Sequence, residues 1–195
     1  MAAFLLVISY LLGAFPAAYI AGRILKGTDI RAVGDGNVGA ANAFREIGPL
    51  VGMLVMVTDI CKGVAAVLIT QAFAPQLVVF MAGFAVVAGH IWSPFIGFRG
   101  GRGEATASGV LVVLLPREMF ILLGVGIIPF LITHRNTMVL GAILFAPLWL
   151  VAWLMGASGD LILFSIALPC LVGITHYFST RKLPPEVRQR GKFMR

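Results

Sequence analysis

Residues 47–70 read IGPLVGMLVMVTDICKGVAAVLIT, an apolar stretch of 24 residues with only two charges, Asp59 and Lys62. As an α-helix rising 1.5 Å per residue, it is long enough to cross the roughly 30 Å hydrocarbon core of a bilayer. In lipid, backbone polar groups must be satisfied internally, so a stretch of this kind is helical. Runs of the same character recur at 3–25, 76–96, 104–116, 118–133, 137–156 and 160–178. The predicted fold is therefore all-α and polytopic, with about seven transmembrane helices. The run at 104–116 is short and reads as a partial helix opening from a buried loop. The whole chain agrees: 59% of its residues are hydrophobic, 12% are charged and its mean hydropathy is +0.99. Soluble domains carry about a quarter charged residues, so lipid must solvate part of this surface.

The cations set an orientation. With seven spans, Arg23, Lys26, Arg31, Arg45, Arg99, Arg102 and Arg135 fall on one side, as do Arg181, Lys182, Arg188, Arg190, Lys192 and Arg195 in the tail. Arg117 is the clear exception. Positive-inside logic predicts an N-terminus outside and a cytoplasmic C-terminus. His90, His134 and His176 lie at the same cytoplasmic ends. The segment from Ala2 to Ile24 lacks a basic n-region and a small-residue cleavage site, which predicts a retained first helix. One domain, 1–195, is expected, with 180–195 as a basic cytoplasmic tail. The net charge of +7 does not indicate nucleic acid, because the basic residues flank apolar spans and form no stripe on a soluble face. Cys61 and Cys170 sit inside apolar runs without CxxC spacing and read as small packing residues, not as a disulfide or metal pair.

Two glycine-rich stretches carry the chemistry. The first contains Gly34-Asp35-Gly36-Asn37-Val38-Gly39 followed by Asn42 and Arg45. Its three glycines allow positive φ and let amides converge on an anion, its asparagines offer neutral donors, and Arg45 can grip phosphate in two places. The second runs Gly89-His90-Ile91-Trp92-Ser93-Pro94, then Phe98-Arg99-Gly100-Gly101-Arg102-Gly103-Glu104-Ala105-Thr106. It leads into the fourth apolar run, whose first amides and dipole favour a phosphate. Glycines alone fit tight turns equally well; two such loops on one membrane face, each with arginine, favour an anion site.

Asp59 and Lys62, spaced i,i+3 inside the second span, can neutralise each other on one helix face. Ionisable groups at membrane depth point to function, although a bracing ion pair is the equal alternative. His90 is either a base or phosphate ligand, or a hydrogen-bonded structural residue. Trp92, Trp149 and Trp153 read as interface or packing aromatics, and Pro147 and Pro169 as helix kinks.

In this combination and order the residues resemble the bacterial PlsY-type acyl-phosphate:glycerol-3-phosphate acyltransferases. The resemblance rests on Leu12-Gly13-Ala14-Phe15-Pro16 with Tyr19-Ile20, on Asp29-Ile30-Arg31, and on Gly34-x-Gly36-Asn37-x-Gly39-Ala40-x-Asn42 with Arg45 and Gly48. It continues in Asp59-x-x-Lys62-Gly63, Gly89-His90 and Phe98-Arg99-Gly100-Gly101-Arg102-Gly103-x-Ala105-Thr106. It implies a seven-helix enzyme of the inner (plasma) membrane, without cofactor or metal. Such an enzyme moves an acyl chain from acyl phosphate to glycerol 3-phosphate for phospholipid synthesis, with membrane lipids as its surroundings. It also implies substrate assistance, in which the donor's phosphate helps deprotonate the acceptor. Carried over by position, Arg45, His90 and Arg102 are the catalytic candidates. Gly34, Asp35, Gly36, Asn37, Gly39, Asn42, Gly100, Gly101, Gly103, Thr106 and His176 would bind substrate or phosphate. The HX4D motif of other acyltransferases is absent.

Departures from the family pattern matter. The family usually has Ser at Asp35, Thr at Ala41, Lys at Arg102 and Val at Glu104, and its C-terminal HRxNIxRL pattern is replaced after His176 by Tyr177-Phe178-Ser179-Thr180. Its usual motif near the fifth loop is replaced by Thr133-His134-Arg135-Asn136-Thr137. Two added carboxylates beside a dianion at about 4 Å cost several kcal/mol at an effective dielectric near 20. A paralogue acylating another polar acceptor, such as a glycerophosphodiester or a polyol, and a non-catalytic lipid- or partner-binding module are the alternatives. A transporter is disfavoured, because no paired broken helices in inverted halves are evident.

Overall fold

The computed structural model describes residues 1–133 and 137–181. Ten α-helices occur among these residues: α1 (Ala2–Ala14), α2 (Ala17–Lys26), α3 (Ala40–Glu46), α4 (Pro49–Gln71), α5 (Gln76–Ile91), α6 (Glu104–Leu114), α7 (Pro116–Ile132), α8 (Thr137–Phe145), α9 (Leu148–Leu154) and α10 (Gly159–Arg181). Short 3-10 turns at Ile30–Ala32 and Pro94–Ile96 punctuate the two glycine-rich stretches. The described residues contain no strand. The motif at 133–137 is only partly described, and Lys182 to Arg195 of the basic tail lie outside the described residues.

Four stretches are long and apolar enough to cross a bilayer: Ala2–Lys26, Pro49–Gln71, Gln76–Ile96 and Gly159–Ser179. The other three apolar runs form shorter helices. As expected for 104–116, α6 has only 11 residues and a length of about 16 Å. The run at 137–156 is two helices, because Pro147 cannot continue α8 and instead caps α9. The first span is also interrupted. Pro16 ends α1 at Ala14, and α2 restarts at Ala17.

That interruption connects sequence to site. A proline break leaves carbonyls without helical donors, and distant side chains supply them here. Lys62 Nζ donates to Phe15 O at 2.6 Å, and Ser93 Oγ donates to Ala14 O at 2.5 Å. The core lies among α4, α5, α6 and α10, where Val67, Val86, Val110, Leu111 and Leu168 are fully enclosed. Leu50, Leu68, Leu77, Phe120, Ile128 and Leu163 point outward, as lipid-facing residues do. Where α4 meets α6, a Cβ on Gly63 would collide with Thr106 O, and one on Gly109 with Ile60 O. Small residues let the backbones touch there and set the depth at which α6 begins.

The outward surface also corrects an expectation. Cys61 and Cys170 are exposed rather than packed inside. Trp92, Trp149 and Trp153 are likewise exposed.

Candidate active site

The first glycine-rich stretch is shaped by side chains of its own neighbourhood. Asp29 caps the turn at Ile30, accepting from Arg31 N at 3.0 Å and pairing with the Arg31 guanidinium at 2.7 Å. Those bonds to Arg31 hold the Asp29 carboxyl down at about 2, below its ordinary 3.8. Arg31 also donates from Nη1 to Ile96 O at 2.8 Å, tying the first stretch to the second. Both Arg23 and Arg31 lie over the Tyr19 ring, 5.2 and 5.0 Å from its centroid. Gly34 and Gly36 adopt the positive φ expected, 59° and 66°, whereas Gly39 is extended at −150°. A Cβ on Gly39 would instead come within 2.9 Å of Asn37 Nδ2.

Asn42 departs from its expected role. It is fully buried, and Nδ2 donates to the carbonyls of Ile30, Val33 and Asn37 at 3.1–3.2 Å. Its Oδ1 accepts from Asp35 N at 3.2 Å. Its donors are consumed by the loop, so it shapes the site and offers nothing to a ligand. Asp35 Oδ1 accepts from Asn37 N at 3.2 Å, closing an Asx turn that fixes the carboxylate.

The second stretch is held by close backbone approach. Gly100 N and Gly101 N donate to Ile91 O and His90 O at 2.9 and 3.1 Å. A Cβ on Gly101 would overlap the His90 ring and Val38 O. Gly103, at φ 86°, turns the chain into α6.

These two scaffolds bring Arg45, on α3, and Arg102, just before α6, to one point. Arg45 Nη2 and Arg102 Nη1 lie 3.3 and 3.2 Å from the same oxygen, Asp35 Oδ2. Arg45 is a third exposed and Arg102 mostly buried. Nearby, two buried polar atoms have no protein partner, Arg102 Nε and Thr106 Oγ1. On the far side of the α6 start, His176 Nδ1 from α10 lies 2.6 Å from Glu104 Oε1. That pair lines a groove of about 730 Å³ whose other walls, from α8, α9 and α10, are largely apolar and include Phe145, Trp149, Ile166 and Val172. The groove and the Glu104–His176 pair were missed in the sequence. Their only signal is a scatter of small residues, Gly141, Ala142, Ala146 and Gly173, on helices that face one another.

His90 does not join the arginines. It is buried beneath Gly101, with Nδ1 3.5 Å from Asp59 Oδ1. Asp59 pairs with Lys62 at 2.6 Å, and both side chains are at least nine-tenths enclosed. The pair predicted from the i,i+3 spacing therefore exists, with His90 as a third member and the broken end of α1 as its roof.

Fold and site together define a helical membrane protein in which two arginines converge on one carboxylate between two glycine-rich loops, with an apolar groove lined in part by Glu104 at the start of α6. The glycerol-3-phosphate acyltransferase family profile matches residues 3–184. Glycerol-3-phosphate acyltransferase 4 of Dehalococcoides mccartyi is 43% identical over 178 residues, covering 90% of this chain and 95% of that relative. Glycerol-3-phosphate acyltransferase 1 of the same organism is 37% identical over 91% of this chain and 88% of that protein. The crystal structure of PlsY, an integral membrane glycerol 3-phosphate acyltransferase in its glycerol 3-phosphate form, superposes with a TM-score of 0.83. It is 32% identical, with 93% of this chain and 90% of that one covered. The lysophosphatidic acid form of PlsY gives a TM-score of 0.77 at 29% identity, with the same coverage. The chain belongs to the glycerol-3-phosphate acyltransferase family.

Proposed function

We propose that this protein transfers a fatty acyl chain from an acyl phosphate to the 1-hydroxyl of glycerol 3-phosphate, at the cytoplasmic face of the inner membrane. The observation that carries this reading is the convergence of Arg45 and Arg102 on one oxygen between two glycine loops, beside an apolar groove. Two guanidinium groups at that spacing suit a phosphate oxygen, and α6 adds amides and a dipole end. The groove suits the acyl chain, with the donor's carbonyl at the boundary between groove and cradle.

The chemistry then needs no cofactor. The acceptor hydroxyl oxygen attacks the acyl carbonyl carbon, and that carbon–oxygen bond forms. The bond from the carbonyl carbon to the phosphate oxygen breaks, and the hydroxyl proton leaves on the released phosphate. Cationic donors fixed beforehand stabilise the negative charge that develops. In this reading Asn37 and Asn42 shape the first loop, and His90 orders the second. In this reading each of the seven apolar runs crosses the bilayer once, the short α6 together with the loop that leads into it, with the N-terminus outside and the C-terminus in the cytoplasm.

The test is direct. Purified protein supplied with palmitoyl phosphate and glycerol 3-phosphate is expected to form lysophosphatidate, detected by mass. Arg45→Ala is expected to lower the rate by roughly 10²–10³-fold while remaining folded. Product formation from palmitoyl-CoA alone, or an undiminished rate in Arg45→Ala, would defeat the proposal.

A further inference from the structure

The seat between Arg45 and Arg102 holds a carboxylate belonging to the chain itself. Asp35 Oδ2 lies 3.3 Å from one guanidinium and 3.2 Å from the other. The carboxylate is there by construction. Asn37 N donates to its second oxygen at 3.2 Å, and Asn42 Oδ1 holds its own backbone N–H at 3.2 Å. Asn42 is in turn locked by three carbonyls. The side chain is therefore aimed at the arginines by a chain of hydrogen bonds that ends on the fully buried Asn42.

We infer that Asp35 is a specificity-determining residue, a built-in anion that competes with the acceptor's phosphate for Arg45 and Arg102. The inference rests on the proposed acceptor and adds how tightly that acceptor is held. Two arginines and one aspartate leave the cradle with a single net positive charge, where arginines alone would offer two. A phosphate dianion entering this seat must take the guanidinium donors from Asp35 and then lie against its carboxylate. Like charges at about 4 Å repel by several kcal/mol at an effective dielectric near 20, and partial exposure reduces that repulsion. The protein thus gives up acceptor affinity, and it favours acceptors carrying less negative charge than glycerol 3-phosphate. Arg102 Nε and Thr106 Oγ1 are buried without a partner and take no part in the contacts to Asp35.

The charge can be removed while the turn is kept. Serine and asparagine both place an acceptor oxygen where Asn37 N donates, so Asp35→Ser and Asp35→Asn retain the loop and lose the anion. Initial rates with palmitoyl phosphate and glycerol 3-phosphate are expected to give a KM for the acceptor at least about tenfold lower in both variants. The KM for palmitoyl phosphate should change less than twofold. Inorganic phosphate, as a second probe, should raise the unfolding temperature of both variants more than that of the parent at the same concentration. An acceptor KM that stays the same or rises overturns the inference, as does an equal response to phosphate. If neither variant folds, Asp35 is a scaffold residue and the inference is also overturned. The proposed function fails separately, if no protein forms lysophosphatidate; the phosphate arm then decides the role of Asp35 alone.

Discussion

Two clusters of charge lie on either side of one glycine loop, built from similar groups and arranged for opposite ends. Above the loop, Arg45, Arg102 and Asp35 are partly open, and under the proposed function each bond in the group is exchanged for one to an incoming anion. Below it, Asp59, Lys62 and His90 are enclosed, and Lys62 is spent on Asp59 and on the carbonyls of Gly13 and Phe15. The difference lies in what would be left behind. A cation leaving Asp35 leaves a carboxylate that water and a second arginine can still reach. A cation leaving Asp59 leaves a buried charge with no solvent. Residue type alone does not decide whether a charged group serves chemistry or architecture; access for a replacement partner does.

The largest effect should come from breaking the lower cluster. Lys62→Met leaves the buried Asp59 with His90 alone and removes the donor that covers the end of α1, at a cost of about 3–5 kcal/mol. The paired change Asp59→Leu with Lys62→Met should recover most of that loss. Thermal unfolding in detergent reads both, and substrate KM in the folded fraction should stay near that of the parent. A Lys62→Met protein as stable as its parent, with altered KM, would merge the two clusters into one functional site.

A middle-sized effect should come from Asn42, which joins architecture to cradle. Asn42→Ala removes the donor serving three carbonyls and should cost about 1–3 kcal/mol. Asn42→Asp keeps the acceptor for Asp35 N but has no N–H to give, so it should not rescue stability. Recovery in Asn42→Asp would mean that the acceptor, not the donors, shapes the loop.

The smallest effect belongs to the outer rim. Asp29 has a folded-state pKa lowered from 3.8 to about 2 by its bonds to Arg31. Its contribution is present above the unfolded pKa of 3.8 and is lost as pH falls through the folded value. Asp29→Asn should lower stability by about 1–2 kcal/mol at pH 6, allowing for solvent screening. That gap should close as pH falls from 4 toward 2. A gap that is constant with pH would point to lost geometry instead of lost charge.

Much of this arrangement is legible in the sequence, and the rest is hidden for physical reasons. Four of the seven predicted spans are plain because lipid demands long apolar runs, and the short fourth run matches the 11-residue α6. Arg45 and Arg102 are also legible as partners, since each lies in or just after a run of closely spaced glycines. The Asp59–Lys62 pair follows from helical spacing alone. His90 is different: its partner is 31 positions earlier on another helix, and only the crossing of α4 and α5 brings the two together. Asn42 reads as a free donor because its three acceptors are backbone atoms, which a sequence pattern does not mark. The pairing of Glu104 with His176 spans 72 positions and depends on how α10 returns beside the start of α6.

The groove between α8, α9 and α10 has a consequence for how supply is sensed. A reactant whose tail lies among Phe145, Trp149 and Val172 arrives by two-dimensional diffusion within the bilayer. What governs its arrival is then its mole fraction among lipids, not its concentration in water. Under the proposed function a polar acceptor would obey the opposite rule, because it would come from the aqueous phase to the arginines. One protein would thus compare two supplies measured on different scales, and growth of the membrane area would dilute only one of them.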